Sequence, residues 1–322
     1  MEDAVCCKFF EQQGKSYCLL MVCDGHGDRG LVSQFVCDTL PDILQNNMKD
    51  EEATWETKWQ RSCLEVDSQL KETNIIGGST AVMALISEGS IVVANVGDSR
   101  AILVQSSSSS STTRLETNKE QLTVSPTKEE NTKEGEEKPS TNNTPIVVAM
   151  SEDHKPNLER ELTRIVNAGM TMREIIFEEN GEEFTIHKIA KNDKEQLAVS
   201  RSFGDFEYKL NTTLAPEEQA VTAVPDVRIH VRDSATDMYL ILACDGVFDV
   251  MKNEQVMKFC LDQVSMRCEM STDTVLPEVG DSLLRECLNC GSKDNMTTII
   301  AALGNESTKI KPVIQGRTLF NE

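Results

Sequence analysis

The sequence predicts an α+β layered sandwich, and three features of its pattern do so. Short apolar, β-branched runs recur at 5–10, 17–23, 79–87, 91–96, 101–104, 184–189, 221–231, 238–244 and 296–303, too many for one small sheet. Helical spacing, with apolar residues returning at three and four, marks 31–44, 55–70, 158–168, 254–268 and 279–290. Strands come in consecutive groups and helices in pairs, whereas βαβ units of a doubly wound parallel sheet would alternate.

Trp55 and Trp59, at helical spacing, read as core. From about 105 to 145 the chain is Ser, Thr, Glu, Lys and Asn with almost nothing apolar, so it cannot offset its ordering entropy and is expected to be disordered. The apolar character returns at 146–150, which makes the stretch an inflated hairpin connection, cheap because closure entropy grows only logarithmically with length. The expectation is one domain over 1–304 carrying this insert, followed by a short tail at 305–322.

The 322 residues are 39% hydrophobic and 26% charged, ordinary for a globular core. The net charge of -21 disfavours nucleic acid or an anionic membrane as partner and suits a divalent cation or a basic peptide. The insert holds five Lys and Arg against seven Glu, a net -2, so about -19 belongs to the rest. Eleven cysteines, an odd number lying mostly in apolar runs, read as reduced thiols in a reducing compartment. With no basic, apolar leader at Met1 and no membrane-length apolar run, the expected location is cytoplasm or nucleus, as a monomer.

Three carboxylates stand at the edges of strongly apolar runs: Asp24 ends LLMVCD, Asp245 ends YLILACD, and Asp294 precedes NMTTIIAAL. A carboxylate there is costly unless a positive partner meets it. Gly follows the first two, as a tight turn bringing backbone carbonyls near an ion would need, although Asp-Gly taken alone is more often a turn. Glu2 and Asp3 head another strand. Oxygen ligands without Cys or His select Mg²⁺, Mn²⁺ or Ca²⁺ over Zn²⁺. A calcium-binding protein is the weaker reading, because no twelve-residue EF-hand loop is present.

Ten strings occur in order: MEDA (1–4), CDGHGD (23–28), GGSTA (77–81), ANVGDSRA (94–101), DHKP (153–156), ERELTRIVNAG (159–169), LAVSRSFGD (197–205), VPDV (224–227), ACDGVFDV (243–250) and GSKDNMTTII (291–300). Together they resemble the motifs of the type 2C metal-dependent protein phosphatases, from residue 1 to about 303 with only the insert omitted. The resemblance implies a four-layer αββα sandwich, two mostly antiparallel β-sheets flanked by paired helices. It also implies hydrolysis of phosphoserine and phosphothreonine in phosphorylated protein substrates, by water activated between two Mg²⁺ or Mn²⁺ ions with a third, weaker ion in some members. No covalent phosphoenzyme is needed, and the thiols of Cys23 and Cys244 are expected to point away from the ligands into the core.

Carried over by position, Asp24 bridges the two ions, and the Gly25 carbonyl, Asp245 and Asp294 complete their shell. Glu2 and Asp3 reach the same centre directly or through water. Asp153 and Asp249, with Asp245, correspond to the holders of the third ion. Asn295 supports the neighbouring ligand. His26 is the implied general acid for the departing alkoxide. Arg201 is expected on the substrate side, residues 202–219 as a variable flap beside the site, and Arg100 as a turn-fixing residue.

One departure stands out. The family carries a strand and a phosphate-binding Arg just ahead of the MED string, and this sequence starts at that Met, so a truncated N-terminus is the expectation. Arg29 is a weak substitute, since a residue past the turn has no defined direction. Without the Arg the alternative is a non-catalytic phosphatase-like binding or scaffold module.

Overall fold

Continuous apolar runs fold here as strands covered on both faces. The hexapeptide AVMALI is buried at every position, as expected for a central strand between two layers. A computed structural model describes residues 2–27, 29–107, 144–179, 182–192, 196–303 and 311–317. Nearly all of the insert expected to be disordered lies outside the described residues.

In chain order the elements begin β1 (Ala4–Gln12), β2 (Lys15–Cys23), β3 (Gly25–Gly27), α1 (Leu31–Asn47), α2 (Trp55–Thr73), β4 (Gly77–Ser79), β5 (Ala81–Ile86), β6 (Ser90–Val96) and β7 (Arg100–Gln105). Next come β8 (Ile146–Ala149), α3 (Glu159–Asn167), β9 (Thr171–Glu179), β10 (Glu182–Ala190), β11 (Gln196–Leu197), β12 (Phe203–Gly204) and β13 (Asp226–Val231). The rest are β14 (Asp237–Ala243), α4 (Asp245–Phe248), α5 (Asn253–Met266), α6 (Thr272–Asn289), β15 (Met296–Ala302) and β16 (Lys311–Arg317).

Two five-stranded sheets form the centre, ordered β1-β2-β5-β6-β13 and β16-β15-β14-β7-β8. Every neighbouring pair in them is antiparallel. Strand alternation divides the core into layers. Leu20 and Val22 face Leu103, Leu242 and Ile299 between the sheets, while Leu19 and Met21 face α1 and α2 through Val36, Leu40, Trp59 and Val66. On the far side, Ile102, Ile241 and Ile300 pack under Val256 of α5 and Val279 and Leu283 of α6. Each fully buried side chain of this size contributes roughly 1.5–3 kcal/mol, so the layers hold without disulfides. All eleven cysteines are free. The architecture is the layered α+β sandwich that the pattern predicts, in the αββα order that the resemblance implies.

The structure departs from the sequence reading in three places. A projecting hairpin, β9 paired with β10, includes a strand at 171–179 that the sequence does not announce, because its side chains are mostly exposed and leave no burial period. Of the run 221–231 only 226–231 is strand; Ala220, Val221 and Ala223 are buried outside it. The segment read as a tail contributes β16, an edge strand of the second sheet, so the sheet continues past residue 304.

Candidate active site

The strands of the sandwich deliver their acidic ends to one place. Asp24 follows β2, Asp98 follows β6, Asp245 follows β14, Asp294 and Asn295 precede β15, and Glu2 and Asp3 precede β1. Glu2, Asp24, Gly25, His26, Thr80, Asp98, Asp245, Asp294 and Asn295 line a single cavity. Carboxylate oxygens of Asp24 and Asp245 lie within 4.8 Å of each other and of the Cys244 thiol. The Asp3 carboxylate accepts a 2.6 Å hydrogen bond from the Thr297 hydroxyl.

The glycines after the two aspartates are there for space. Neither Gly25 nor Gly246 has a positive φ. A Cβ on Gly25 would collide with the Glu2 carbonyl, and one on Gly246 with the Asn295 carbonyl. The expected tight turns are therefore close backbone approaches, which bring the β1 and β15 entrances against Asp24 and Asp245.

Electrostatics make the cluster self-repelling. Burial, then the charges of Asp245 and Asp3, push the Asp24 carboxyl well up. Burial, followed by the charges of Asp98, Asp249 and Asp294, takes Asp245 to about 7. Asp3 is raised as well, chiefly by burial. One oxygen each of Asp3, Asp245 and Asn295 is buried with no hydrogen-bond partner. Such groups cost free energy unless something positive meets them, so this donor set fits a hard divalent cation. Cys244 does not suit such an ion, because burial and the charges of Asp24, Asp3 and Asp245 hold its thiol protonated. Its sulfur is buried as expected, yet it borders the carboxylates instead of pointing away from them.

A stability prediction follows from the raised groups. The native state holds the Asp245 proton more tightly than the unfolded chain, so stability is greatest near pH 4 and declines as pH rises towards about 7. Each tenfold change in proton affinity is worth about 1.4 kcal/mol, which makes the decline a few kcal/mol. Calorimetry in EDTA is expected to record melting temperatures falling across this window, and millimolar Mg²⁺ at pH 7 to restore them.

His26 has a partner that the sequence reading overlooked. Its Nε2 lies 2.9 Å from both carboxylate oxygens of Asp205. Asp205 is 2% exposed, sits at φ 48°, and accepts from the Ser202 hydroxyl. Gly78 leaves the room, since a Cβ there would strike the Asp205 carboxylate. Burial alone would lower the imidazole pKa, but the hydrogen bond and charge of Asp205 raise it above the ordinary value. Against a carboxylate, which only accepts, Nε2 is the donor and Nδ1 is left for a ligand. The ring remains 37% open to solvent.

Other predicted positions are placed differently. Arg201, expected on the substrate side, is 8% exposed, and its guanidinium donates to Glu161 at 2.7 Å, to Asp226 at 2.9 Å and to the Val224 carbonyl. Asp153 is held by both oxygens in the fork of Arg100, at 2.7 and 2.8 Å. Asp249 does share a second cavity with Asp98, Lys155 and Asp245. In the segment 202–219 the Ser202 hydroxyl donates to Asp205, whereas Phe177, Phe184, Ile186 and His187 of the β9–β10 hairpin border that second cavity.

Asp98 is the other omission, 3% exposed and ion-paired to Lys155. Its signal was present, because IVVANVGD ends on an acid as LLMVCD does. Arg100, two residues on, drew the structural reading instead.

Comparison with known proteins agrees with this fold. A family model described as Protein phosphatase 2C matches residues 1–124 and 140–296. Protein phosphatase ppm-1.A of Caenorhabditis elegans is 32% identical over 243 residues, covering 75% of this chain and 39% of that protein. Human Protein phosphatase 1A is 29% identical over 311 residues, covering 92% and 65%. The chain thus spans between two fifths and two thirds of the length of these relatives. The crystal structure of a phosphatase from a pathogenic strain of Toxoplasma gondii superposes with a TM-score of 0.67 at 21% identity, covering 99% of this chain and 92% of that one, a likeness of fold. With motifs, sandwich and a family model over most of its length in agreement, this chain belongs to the protein phosphatase 2C family.

Proposed function

We propose that the chain is a metal-dependent protein serine/threonine phosphatase that hydrolyses phosphoserine and phosphothreonine by water attack. The observation that carries the reading is the convergence of Asp24 and Asp245, with unpartnered buried oxygens around them, beside the His26–Asp205 pair. Asp24, Asp245, Asp294, Glu2, Asp3 and the Gly25 carbonyl would hold a pair of Mg²⁺ or Mn²⁺ ions, with Asn295 beside them. When bound, such ions neutralise phosphoryl charge and make water a stronger nucleophile near neutral pH.

The chain's own residues supply the rest. His26, whose protonated form Asp205 favours, donates its proton from Nδ1 to the departing serine or threonine oxygen. Asp205 fixes the ring from the side away from the substrate. Neither Cys23 nor Cys244 takes part, since the contact with Cys37 and then burial raise the first, and burial raises the second, far above the range of a reactive nucleophile.

The test is turnover of p-nitrophenyl phosphate and a phosphothreonine peptide with Mn²⁺, with and without EDTA. Turnover that survives EDTA, or none in any metal, would remove the reading and leave a binding module. The acid role has its own signature. His26→Ala is expected to slow the phosphothreonine peptide by about 10²–10⁴-fold. Hydrolysis of p-nitrophenyl phosphate, whose leaving group needs little protonation, should fall far less. Asp205→Asn should move the alkaline limb of the peptide pH–rate profile to lower pH, because the imidazole loses the charge that raises its pKa. Equal losses on both substrates would exclude proton donation by His26.

A further inference from the structure

The β9–β10 hairpin projects beside the acidic site and carries apolar side chains on one face. Its register sets Phe177 opposite Phe184 and Ile175 opposite Ile186, and strand alternation puts these four on the same side. The two rings stack, with 5.6 Å between centroids and 21° between planes. Phe177, Phe184 and Ile186 are 38%, 42% and 39% exposed. Single exposed hydrophobic residues need no explanation, but a cluster of them on one face marks a contact surface. The base of the hairpin is fixed, because Ile189 is wholly buried among Ile165, Tyr208 and Val221 and pairs with Leu197 of β11.

Position decides what this surface meets. Phe177, Phe184 and Ile186 line a cavity of about 580 Å³ whose lining also includes Asp98, Asp245 and Asp249. That volume lies within the roughly 300–1,000 Å³ of ligand pockets. Asp98, Ala198 and Asp245 also line the cavity of Asp24 and His26, so the two cavities adjoin. Leu197, paired to the base of the hairpin, lines the catalytic cavity as well. A phosphorylated side chain that reaches His26 therefore brings its neighbouring residues to the hairpin. A second copy of this chain is disfavoured as the occupant, since two chains of net charge -21 would set carboxylate against carboxylate around the cavity.

We infer that the face formed by Phe177, Phe184 and Ile186 is a specificity subsite, which takes a bulky apolar side chain close in sequence to the phosphorylated residue of a protein substrate. The inference rests on the phosphatase reading for the identity of that substrate. A leucine or phenylalanine seated there removes apolar surface from water on both partners, whereas a glycine leaves the two rings exposed. Fully burying a side chain of this size is equivalent to roughly 10–100-fold in affinity. On a face that stays partly open, about tenfold is expected.

The test uses the full chain and a set of phosphothreonine peptides that carry a single Leu at successive positions on either side of the phosphothreonine, with an all-Gly flank as reference. Values of kcat and KM with Mn²⁺ are set against p-nitrophenyl phosphate, which has no flanking residue. A Leu close to the phosphothreonine is expected to gain about tenfold, chiefly in KM. The double variant Phe177→Ser with Phe184→Ser should lose this gain, and Phe177→Leu with Phe184→Leu should keep most of it. Ile186→Thr alters the same wall with a side chain suited to a strand, and is decisive if the Ser variant melts early. Fluorescence anisotropy of the labelled dephosphorylated peptides should give the same ranking without turnover. The inference is overturned by a wild type with no preference at any position, by folded Ser and Thr variants that keep the preference, by an equal fall on p-nitrophenyl phosphate, or by a preference that follows dimer formation in sedimentation. Turnover without a Leu preference rejects the subsite only. A ranking by anisotropy without turnover in any metal rejects the phosphatase reading only.

Discussion

Asp245→Asn is expected to lower Mn²⁺-dependent kcat about a thousandfold or more while raising the melting temperature of the EDTA-treated protein. The two effects share one cause. Asp245 is forced towards its neutral form by burial and by Asp98, Asp249 and Asp294, so without a cation its charge works against the fold. The amide keeps the shape and removes the repulsion, which stabilises. It also removes a ligand from the pair whose oxygens approach each other within 4.8 Å. Metal-derived stabilisation of transition-state charge is worth several kcal/mol, and about 4 kcal/mol corresponds to a thousandfold in rate. Steady-state kinetics on p-nitrophenyl phosphate and scanning calorimetry in EDTA read the two sides separately. Full activity, or a variant less stable than wild type in EDTA, would mean that the cluster is not built for a cation.

The second large effect is one of stability. Arg201→Ala is expected to destabilise the protein by about 3–5 kcal/mol, the range for stranding one partner of a buried ion pair. The stranded partner is Glu161, whose side chain is wholly buried and also takes hydrogen bonds from Arg164 at 2.6 Å and the Ser200 hydroxyl at 2.8 Å. Burial alone would raise Glu161, yet Arg201 and Arg164 bring it down to about 2. This stabilisation is present above the ordinary carboxylate range and is lost as pH falls through about 2. Urea denaturation of the variant measures the loss, and KM for the residual folded enzyme should be unchanged. A normal denaturation curve with a raised KM would instead return Arg201 to the substrate side.

How the arginines were read shows where sequence stops. Arg201 stands inside a motif that also contains Asp205, and the sequence offered no means of saying which of the two reaches the site. The difference lies in direction: Arg201 turns into the pocket made by α3 and the start of β13, while Asp205, in a left-handed conformation, turns under His26. Residues 311–317 lay in a stretch read as tail, because seven residues with one Pro and one Gly carry little period of their own. They become a strand by pairing with β15. Asp98 was legible by the same rule that found Asp24 and Asp245.

The layered α+β architecture and the acidic residues at the ends of apolar runs were determined by the sequence alone, since burial imposes periods of two and 3.6 and a charge next to a buried strand stands out against them. Tertiary structure decided which of those charges face one another, which cations are already spent on buried partners, and that a strand from residues 311–317 joins the ligand sheet. Those are contacts between residues far apart in the chain. Local sequence carries no record of them, because side-chain direction and strand pairing are settled only when the layers close.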